Sequence, residues 1–368
     1  MTRRIAVLLA ACWSLTLPAF QEAPPEYGPP RGTLVIVGGG SLEGTGITEK
    51  FIELAGGPDA KFIIVPTAGG NRNREGGLIP YTEEEVIRPW VRRGLKHVRM
   101  LHTHDPTVAD TEAFVKDLRD ANAVWFNGGR QWNIVDSYAG TLTYREFHKV
   151  LERGGVIGGS SAGATIQGEY LVRGDTSGPN VMMTEEPNHQ EAFKFLRRTA
   201  IDQHINARNR WDDLIPVIQK FPNLLGLGLA EGTAIIVQGD TFEVMGKWKV
   251  SVHDNTRPYQ PWEKPYFVLS PGDVYNMKTR RIEKYGDGTS PRRPEGRGGE
   301  EVQAGATGPA GATGPAGATG PAEAGPYRGL HPSVEAGFSR PDFPSVGAGF
   351  SRPDSPSVGA GFSRPDGL

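Results

Sequence analysis

The sequence has almost no cysteine and no excess of either charge. Its one cysteine is Cys12, among 368 residues, so the chain can form no intramolecular disulfide and has no cysteine-based metal site. Lysine and arginine number 40 and aspartate and glutamate 42, which gives a formal net charge of −2. This balance gives no support to nucleic-acid binding. Long apolar runs are also lacking, which excludes a multi-span membrane protein.

The last part of the chain lacks the residues that build a core. Residues 291–368 contain two leucines and no isoleucine, yet they hold 17 of the 50 glycines and 12 of the 30 prolines. Such a segment cannot bury a core, so a disordered low-complexity tail is predicted over 287–368. Collagen-like Gly-x-y triplets fill 305–322, and a 12-residue unit repeats over 332–367. The triplets are too few for a stable triple helix, and a surface or trimerising stalk stays an alternative.

The chain begins like an exported protein. Thr2-Arg3-Arg4 is a short basic start, the stretch from 5 to 17 is mostly apolar, and polar, proline-rich sequence follows. This pattern predicts a signal peptide over 1–22 and a linker over 23–31, and hence a periplasmic or extracellular location. The apolar stretch is too short for a transmembrane span. Leu9-Ala10-Ala11-Cys12 also resembles a lipoprotein box, in which Cys12 would be lipidated, and this alternative stays open.

Between residues 32 and 286, short apolar runs alternate with amphipathic stretches. The runs predict strands at 34–37, 62–65, 98–101, 123–126 and 156–157, and the stretches predict helices at 47–54, 83–95, 111–118 and 144–151. This alternation predicts an α/β domain whose parallel sheet is covered on both faces, with its chemistry at the carboxyl ends of the strands. Runs at 234–237, 242–244 and 248–250 predict a small antiparallel extension, with a tight turn at Gly239-Asp240.

A segment of small residues follows the fifth predicted strand. Gly158-Gly159-Ser160-Ser161-Ala162-Gly163-Ala164 precedes a predicted helix at 165–170. Strand, tight turn and helix are the context of a Gly-x-Ser-x-Gly nucleophile elbow. Ser161 is central and is the preferred nucleophile, with Ser160 as the alternative, although a turn that only packs fits the bare motif equally well. Gly38-Gly39-Gly40, after the first strand, predicts a tight loop whose backbone lies close to the crevice at the carboxyl ends of the strands.

A serine nucleophile needs a base and an orienting acid. The chain has eight histidines, and composition cannot choose among them. His204 is favoured because polar and charged residues cluster around it without a helical stripe. Glu231 lies among apolar residues and glycine, which fits a partly buried carboxylate and a solvated strand-end charge equally well. His102 and His104 suit zinc at a strand end, but no further ligand has a motif spacing, so a polar strand-to-loop transition is the preferred interpretation.

Four blocks in this order resemble the cyanophycinase-like serine peptidases, family S51, which include the aspartyl dipeptidases. They are Gly38 to Gly40, Phe126-Asn127-Gly128-Gly129-Arg130-Gln131, Gly158 to Ala164, and Asp202-Gln203-His204 with Arg208, Arg210 and Gly228 to Ala234. The resemblance covers most of the predicted domain and implies a flavodoxin-like fold related to the class I glutamine amidotransferases. An amidotransferase itself is disfavoured, because its elbow needs a cysteine. No cofactor and no metal are expected.

The resemblance also implies roles for single residues. It makes Ser161 the nucleophile, His204 the base and Glu231 the third triad member. The oxyanion donors fall on the backbone of Gly129 and Ala162. The residues that match substrate-lining positions are Gln131, Gln203, Arg208 and Arg210. Guanidinium groups suit the carboxylates of an aspartyl peptide.

Two positions depart from the family pattern. Arg130 stands where an aspartate is common, and Asp213 stands where cyanophycinases have a third arginine. Such charge changes alter which substrate charge is tolerated. The predicted function is therefore an exported serine exopeptidase that hydrolyses cyanophycin, the branched polymer of aspartate and arginine, or related β-aspartyl peptides to dipeptides through an acyl-enzyme. The alternatives are an α-aspartyl dipeptidase-like hydrolase and a catalytically silent surface protein that displays the collagen-like tail. A homodimer also stays open.

Overall fold

The computed structural model describes residues 23–70, 77 and 80–289. The predicted signal peptide at 1–22 lies outside these residues, and so does the predicted tail except for 287–289. In the described part of the chain, no helix is both long and apolar enough to cross a bilayer.

Strands and helices alternate along the first half of the described chain, and strands dominate the second half. The strands are β1 (Thr33–Val37), β2 (Lys61–Val65), β3 (His97–Met100), β4 (Ala123–Phe126), β5 (Val156–Ser160), β6 (Thr199–Gln203), β7 (Leu225–Leu229), β8 (Thr233–Gln238), β9 (Thr241–Gly246), β10 (Val250–Asp254), β11 (Phe267–Leu269), β12 (Val274–Asn276) and β13 (Arg281–Lys284). The helices are α1 (Ile47–Leu54), α2 (Glu83–Val91), α3 (Pro106–Ala109), α4 (Glu112–Val115), α5 (Gln131–Tyr138), α6 (Leu142–Glu152), α7 (Ala162–Thr165) and α8 (Ile215–Lys220). Short 3₁₀ turns lie at Thr67–Gly69 and Lys116–Leu118.

The main sheet has nine strands in the order β13-β12-β9-β8-β1-β5-β4-β2-β3. The neighbours from β1 to β3 in this order are all parallel. β1 and β4 are wholly buried, which explains why they appear in the sequence as continuous apolar runs. The predicted parallel sheet is confirmed.

Alternate residues of β1 show that helices cover both faces of this sheet. Leu34 belongs to an apolar cluster that includes Phe147 of α6. Val35 belongs to a second cluster, which includes Phe51 of α1. Successive strand residues point to opposite faces, so the predicted α/β architecture is confirmed. The finer assignment to a flavodoxin-like fold stays a prediction.

The antiparallel extension is present, but its members differ from those predicted. β8 pairs antiparallel with β1, and β9, β12 and β13 continue the sheet from it. The tight turn at Gly239-Asp240 joins β8 to β9 as predicted. The third predicted strand begins later, at Val250, and β10 instead joins a second sheet of four strands in the order β11-β10-β7-β6. The sequence did not predict this second sheet.

Three predicted helices are shorter in the structure. The helix predicted at 111–118 is α4, which the 3₁₀ turn at Lys116–Leu118 follows directly. α2 ends at Val91 rather than at residue 95, because Gly94 takes a φ of +92° just beyond it, a conformation that favours glycine and ends a helix. The helix predicted at 165–170 is replaced by α7, which has four residues and lies earlier. Beyond α7, the amide of Tyr170 donates to the carbonyl of Thr199 at 3.0 Å, so this stretch follows the second sheet instead.

Part of the predicted linker packs against the domain. Tyr27 is 3% exposed, and its amide donates to Oδ1 of Asp240 at 2.8 Å. Arg197 donates to the carbonyl of Gly28 at 3.0 Å. Within the predicted linker at 23–31, Tyr27 and Gly28 are therefore bound to the domain, and Tyr27 lies beside the turn between β8 and β9.

Candidate active site

Ser161 stands on a strained turn at the carboxyl end of β5. Its φ of 60° and ψ of −116° lie outside the regions that a residue with a Cβ normally adopts. The turn is also tight, since a Cβ on Gly159 would lie 2.2 Å from the carbonyl oxygen of Gly163. The strand, the turn and the short helix thus have the form of a nucleophile elbow.

His204 and Glu231 form a chain of hydrogen bonds with Ser161. His204 directly follows β6, and its Nε2 lies 2.8 Å from Ser161 Oγ. Its Nδ1 lies 2.5 Å from Oε1 of Glu231, which lies just beyond β7. Because a carboxylate only accepts, Nδ1 carries the proton and Nε2 presents its lone pair to the serine hydroxyl. The structure brings these three predicted residues together and leaves the alternative, Ser160, inside β5.

The glycines after β1 make room for the histidine and the glutamate. Gly39 has a φ of +106°, and a Cβ on it would lie 2.2 Å from Cε1 of His204. A Cβ on Gly40 would lie 2.7 Å from Oε2 of Glu231. The amide of His204 donates to the carbonyl of Gly38 at 2.8 Å. The loop lies at the crevice as predicted, and only glycine fits against the imidazole.

A cleft of about 380 Å³ opens beside Ser161. It is lined by all four side chains predicted to bind substrate, Gln131, Gln203, Arg208 and Arg210. Arg210 is 8% exposed, and its Nη1 has no hydrogen-bond partner among the described residues. Nε2 of Gln131 donates to the carbonyls of Val172 and Arg173, at 2.8 Å each. The side-chain amide of Gln131 therefore joins the start of α5 to the backbone of Val172 and Arg173 in the cleft wall.

Comparisons with known proteins indicate the family to which this chain belongs. A family model described as peptidase family S51 matches residues 34–245. The chain belongs to peptidase family S51. It is 26% identical to the cyanophycinase of Synechococcus elongatus, over 73% of this chain and 86% of the relative. It is also 26% identical to the cyanophycinase of Geminocystis herdmanii, over 68% of this chain and 96% of the relative.

A solved structure has a similar fold. This crystal structure of a peptidase from an acI-B1 Actinobacterium matches with a TM-score of 0.53 and 21% identity, over 67% of this chain and 97% of the other. At this identity the likeness shows the fold alone. Membership of the family and the curated relatives show that this S51 chain is a serine-type peptidase, and thus a hydrolase.

The predicted oxyanion donors of the S51 peptidase lie on two segments next to Ser161. Ala162 begins α7, where an amide has no acceptor within the helix. A Cβ on Gly128 would lie 3.1 Å from Cβ of Ser161, so the loop that carries Gly129 lies against the serine. Within the described residues, neither the Gly129 amide nor the Ala162 amide donates a hydrogen bond. Both are free to bind an oxyanion.

The surroundings of His204 in the S51 peptidase suit a base. Burial lowers the pKa of His204 below 6.5, and the hydrogen bond to Glu231 opposes this effect. The positive charges of Arg208 and Arg210 lower the pKa of His204 further. The imidazole is therefore neutral at neutral pH, which is the state that can accept a proton.

This lowered pKa predicts the pH dependence of the peptidase. We expect kcat/KM to fall only as the pH drops below 6.5, because protonation of His204 removes the base. Arg208→Gln removes a nearby positive charge, so it should move the midpoint of this acid limb to higher pH. Arg92→Gln serves as the control, because Arg92 is exposed and does not line the cleft. It should leave the midpoint of the acid limb in place. A wild-type midpoint above 6.5, or one that Arg208→Gln leaves in place, would contradict the prediction.

Sequence reasoning missed Arg173, which lies in the cleft wall. It is 2% exposed, and its Nε and Nη2 donate to the two carboxylate oxygens of buried Asp202 at 2.8 and 2.9 Å. Nη2 also donates to Asp213 at 2.5 Å. Asp213, expected to place an anion at the substrate site, is thus ion-paired. No local pattern marks Arg173, because these partners lie 29 and 40 residues away along the chain.

His102 and His104 form part of a polar network at the end of β3. Nδ1 of His102 lies 2.9 Å from Oγ1 of Thr67, which in turn lies 2.7 Å from the Tyr138 hydroxyl. Burial, followed by the nearby His104, lowers the pKa of His102 to about 4. Among the described residues, no group of three or more histidine, cysteine, aspartate or glutamate side chains is placed to hold a metal ion.

Proposed function

We propose that Ser161 is the nucleophile of this peptidase and His204 its base. Nε2 of His204 takes the serine proton as Oγ attacks the scissile carbonyl carbon. Glu231 accepts the Nδ1 hydrogen bond and stabilises the imidazolium that forms. The observation that carries this proposal is the chain of hydrogen bonds through Ser161, His204 and Glu231, with lengths of 2.8 and 2.5 Å.

The intermediate of this attack places a negative charge on the former carbonyl oxygen. We assign its stabilisation to the free amides of Gly129 and Ala162. His204 then gives its proton to the leaving amine, and an acyl ester remains on Ser161. Water attacks this ester while His204 again accepts a proton, and the acid product leaves the regenerated serine.

We propose an aspartyl peptide or polymer as the substrate; from cyanophycin or related β-aspartyl peptides the enzyme would release dipeptides. Arg208 and Arg210 line the cleft next to Ser161, and guanidinium groups bind carboxylates through two parallel hydrogen bonds. Cyanophycin is one candidate, which the two cyanophycinase relatives support. An α-aspartyl dipeptide is the other candidate, because the same cations would bind it.

We further propose that the protein is exported and acts in the periplasm or outside the cell. The support is the basic start of the chain and the apolar stretch from 5 to 17. Mass spectrometry of the protein isolated from its native host tests this. A cleaved signal peptide predicts an N-terminus near residue 23, and lipidation predicts a modified Cys12 as the first residue. An N-terminus that retains Met1 would contradict export.

The activity is tested by digestion of purified cyanophycin beside a panel of α- and β-aspartyl dipeptides and ordinary peptides. We expect dipeptide release from cyanophycin or hydrolysis of an aspartyl dipeptide, with little cleavage of the ordinary peptides. A serine-directed phosphonate should label Ser161. A folded protein that is not labelled would favour the silent surface protein, and equal cleavage of ordinary peptides would rule out the aspartyl preference.

A further inference from the structure

Arg130 is a cation of the cleft that the triad does not use. It is exposed, follows Gly129, and lines the cleft together with Ser161 and Arg208. Its guanidinium lies 5.4 Å from the centre of the Trp132 ring. Among the described residues, no carboxylate lies within ion-pair distance of it. The charge of Arg130 is therefore available to whatever enters the cleft.

Two further arginines that line the cleft resemble Arg130 in this respect. Neither Arg208 nor Arg210 forms an ion pair in the part of the chain that the structure describes. Nη1 of Arg210 is buried and has no hydrogen-bond partner among the residues that the structure describes. Burial lowers the pKa of Arg210, and the charges of Arg173 and Arg208 lower it further, against the opposing effect of the Asp202 and Asp213 carboxylates. Like charges are therefore crowded here, and a bound anion would relieve this repulsion.

Two carboxylates next to the cleft, those of Asp202 and Asp213, bind the same guanidinium. Asp202 is fully buried and binds Arg173 through both of its oxygens. Asp213 binds the same guanidinium, and Arg173 also donates to the carbonyl of Pro179 at 2.6 Å. The four arginines that line the cleft outnumber the two carboxylates that Arg173 binds, so a cationic side chain that entered would meet an excess of positive charge.

We propose that this cleft selects aspartyl peptides whose side branches or neighbouring residues are acidic or uncharged, and that it rejects those that carry arginine. This inference rests on the proposed aspartyl-peptide function and makes Arg130 a specificity-determining residue. Among the candidate substrates it favours aspartyl peptides without arginine branches over cyanophycin. An aspartate at this position, as in the family pattern, would attract an arginine branch of the substrate. Arg130 instead repels such a branch, and this repulsion discriminates between substrates.

Aspartate oligomers of equal length that differ in their branches test this selection. One carries arginine, one carries citrulline, which keeps the shape of arginine without its charge, and one carries glutamate. We expect the wild type to hydrolyse the citrulline and glutamate oligomers with a kcat/KM at least about tenfold above that for the arginine oligomer. Arg130→Asp should reverse this order. Arg92→Asp, a charge reversal outside the cleft, should keep it.

The outcomes separate this inference from the function on which it rests. A wild type that prefers the arginine oligomer, or an Arg130→Asp variant that keeps the wild-type order, would overturn the inference and leave the proposed function intact. Cleavage of none of the oligomers by the wild type would overturn the inference, and the proposed function would fall with it only if the aspartyl dipeptides of the panel were also left intact. Should Arg130→Asp fail to fold, Arg130→Gln replaces it, with an expected ratio near one. Calorimetric binding to the Ser161→Ala variant should rank the oligomers in the same order by Kd.

Discussion

Replacing Ser161 by alanine is expected to lower kcat by about a millionfold, the loss seen when the nucleophile of a serine protease is removed. The variant should fold, because the change removes one oxygen from a half-buried side chain and leaves the backbone of the turn in place. Both phosphonate labelling and the burst of acyl-enzyme formation should disappear. The measurement is pre-steady-state hydrolysis of the best substrate from the panel.

Ser160→Ala is the matched control for this experiment. Ser160 precedes Ser161 in the chain but lies within β5, whereas Oγ of Ser161 lies 2.8 Å from Nε2 of His204. We expect Ser160→Ala to have a far smaller effect on kcat, because the two ring nitrogens of His204 bind Glu231 and Ser161 and not Ser160. Full activity of Ser161→Ala together with loss of activity in Ser160→Ala would show that the nucleophile has been assigned wrongly.

Replacing Gly39 by alanine should inactivate the enzyme without any change in the triad residues themselves. The new Cβ would lie 2.2 Å from Cε1 of His204 and 2.7 Å from both ring nitrogens, so the imidazole or the loop must move. A misplacement of about 1 Å costs on the order of a hundredfold in rate. We expect at least this loss in kcat, measured on the same substrate, while circular dichroism still reports a folded protein.

Gly57→Ala separates the collision from backbone strain. Gly57 has a φ of +89°, similar to the +106° of Gly39, but a Cβ on it would meet no atom within 4 Å. Alanine at 57 should therefore lower the melting temperature, because the left-handed conformation costs roughly 1 kcal/mol or more, and it should leave kcat unchanged. Equal loss of kcat in the two variants, or full activity of Gly39→Ala, would show that contact with His204 is not the cause.

The parallel sheet and the serine could be predicted from the sequence for local reasons. β1 and β4 are buried on both faces and so appear as apolar runs. The turn at Ser161 needs glycines where the backbone passes close, and Gly159 and Gly163 mark it in the sequence. In each case the residues that determine the structure are neighbours along the chain.

The second sheet could not be predicted in this way. β6 is fully buried although it contains Asp202 and Gln203, so it shows neither an apolar run nor a regular alternation. Arg173, 29 residues earlier, neutralises Asp202, and no local pattern reveals such a contact. His204 directly follows this strand, so its position could not be predicted from an apolar pattern. Composition could not choose it among eight histidines, and the resemblance to the family was needed.

The two sheets also divide the triad between them. Ser161 follows a strand of the nine-stranded sheet, whereas His204 and Glu231 lie beyond two adjacent strands of the four-stranded sheet. The backbone at the end of β1 contacts both parts of the triad. The main-chain amide of Ser161 donates to the carbonyl of Val37, and the main-chain amide of His204 donates to the carbonyl of Gly38. A slip between the sheets of a fraction of an ångström would lengthen the Ser161–His204 bond long before it opened the core. With this proposed triad, we expect the catalytic rate of the enzyme to be a sensitive measure of the register between its sheets.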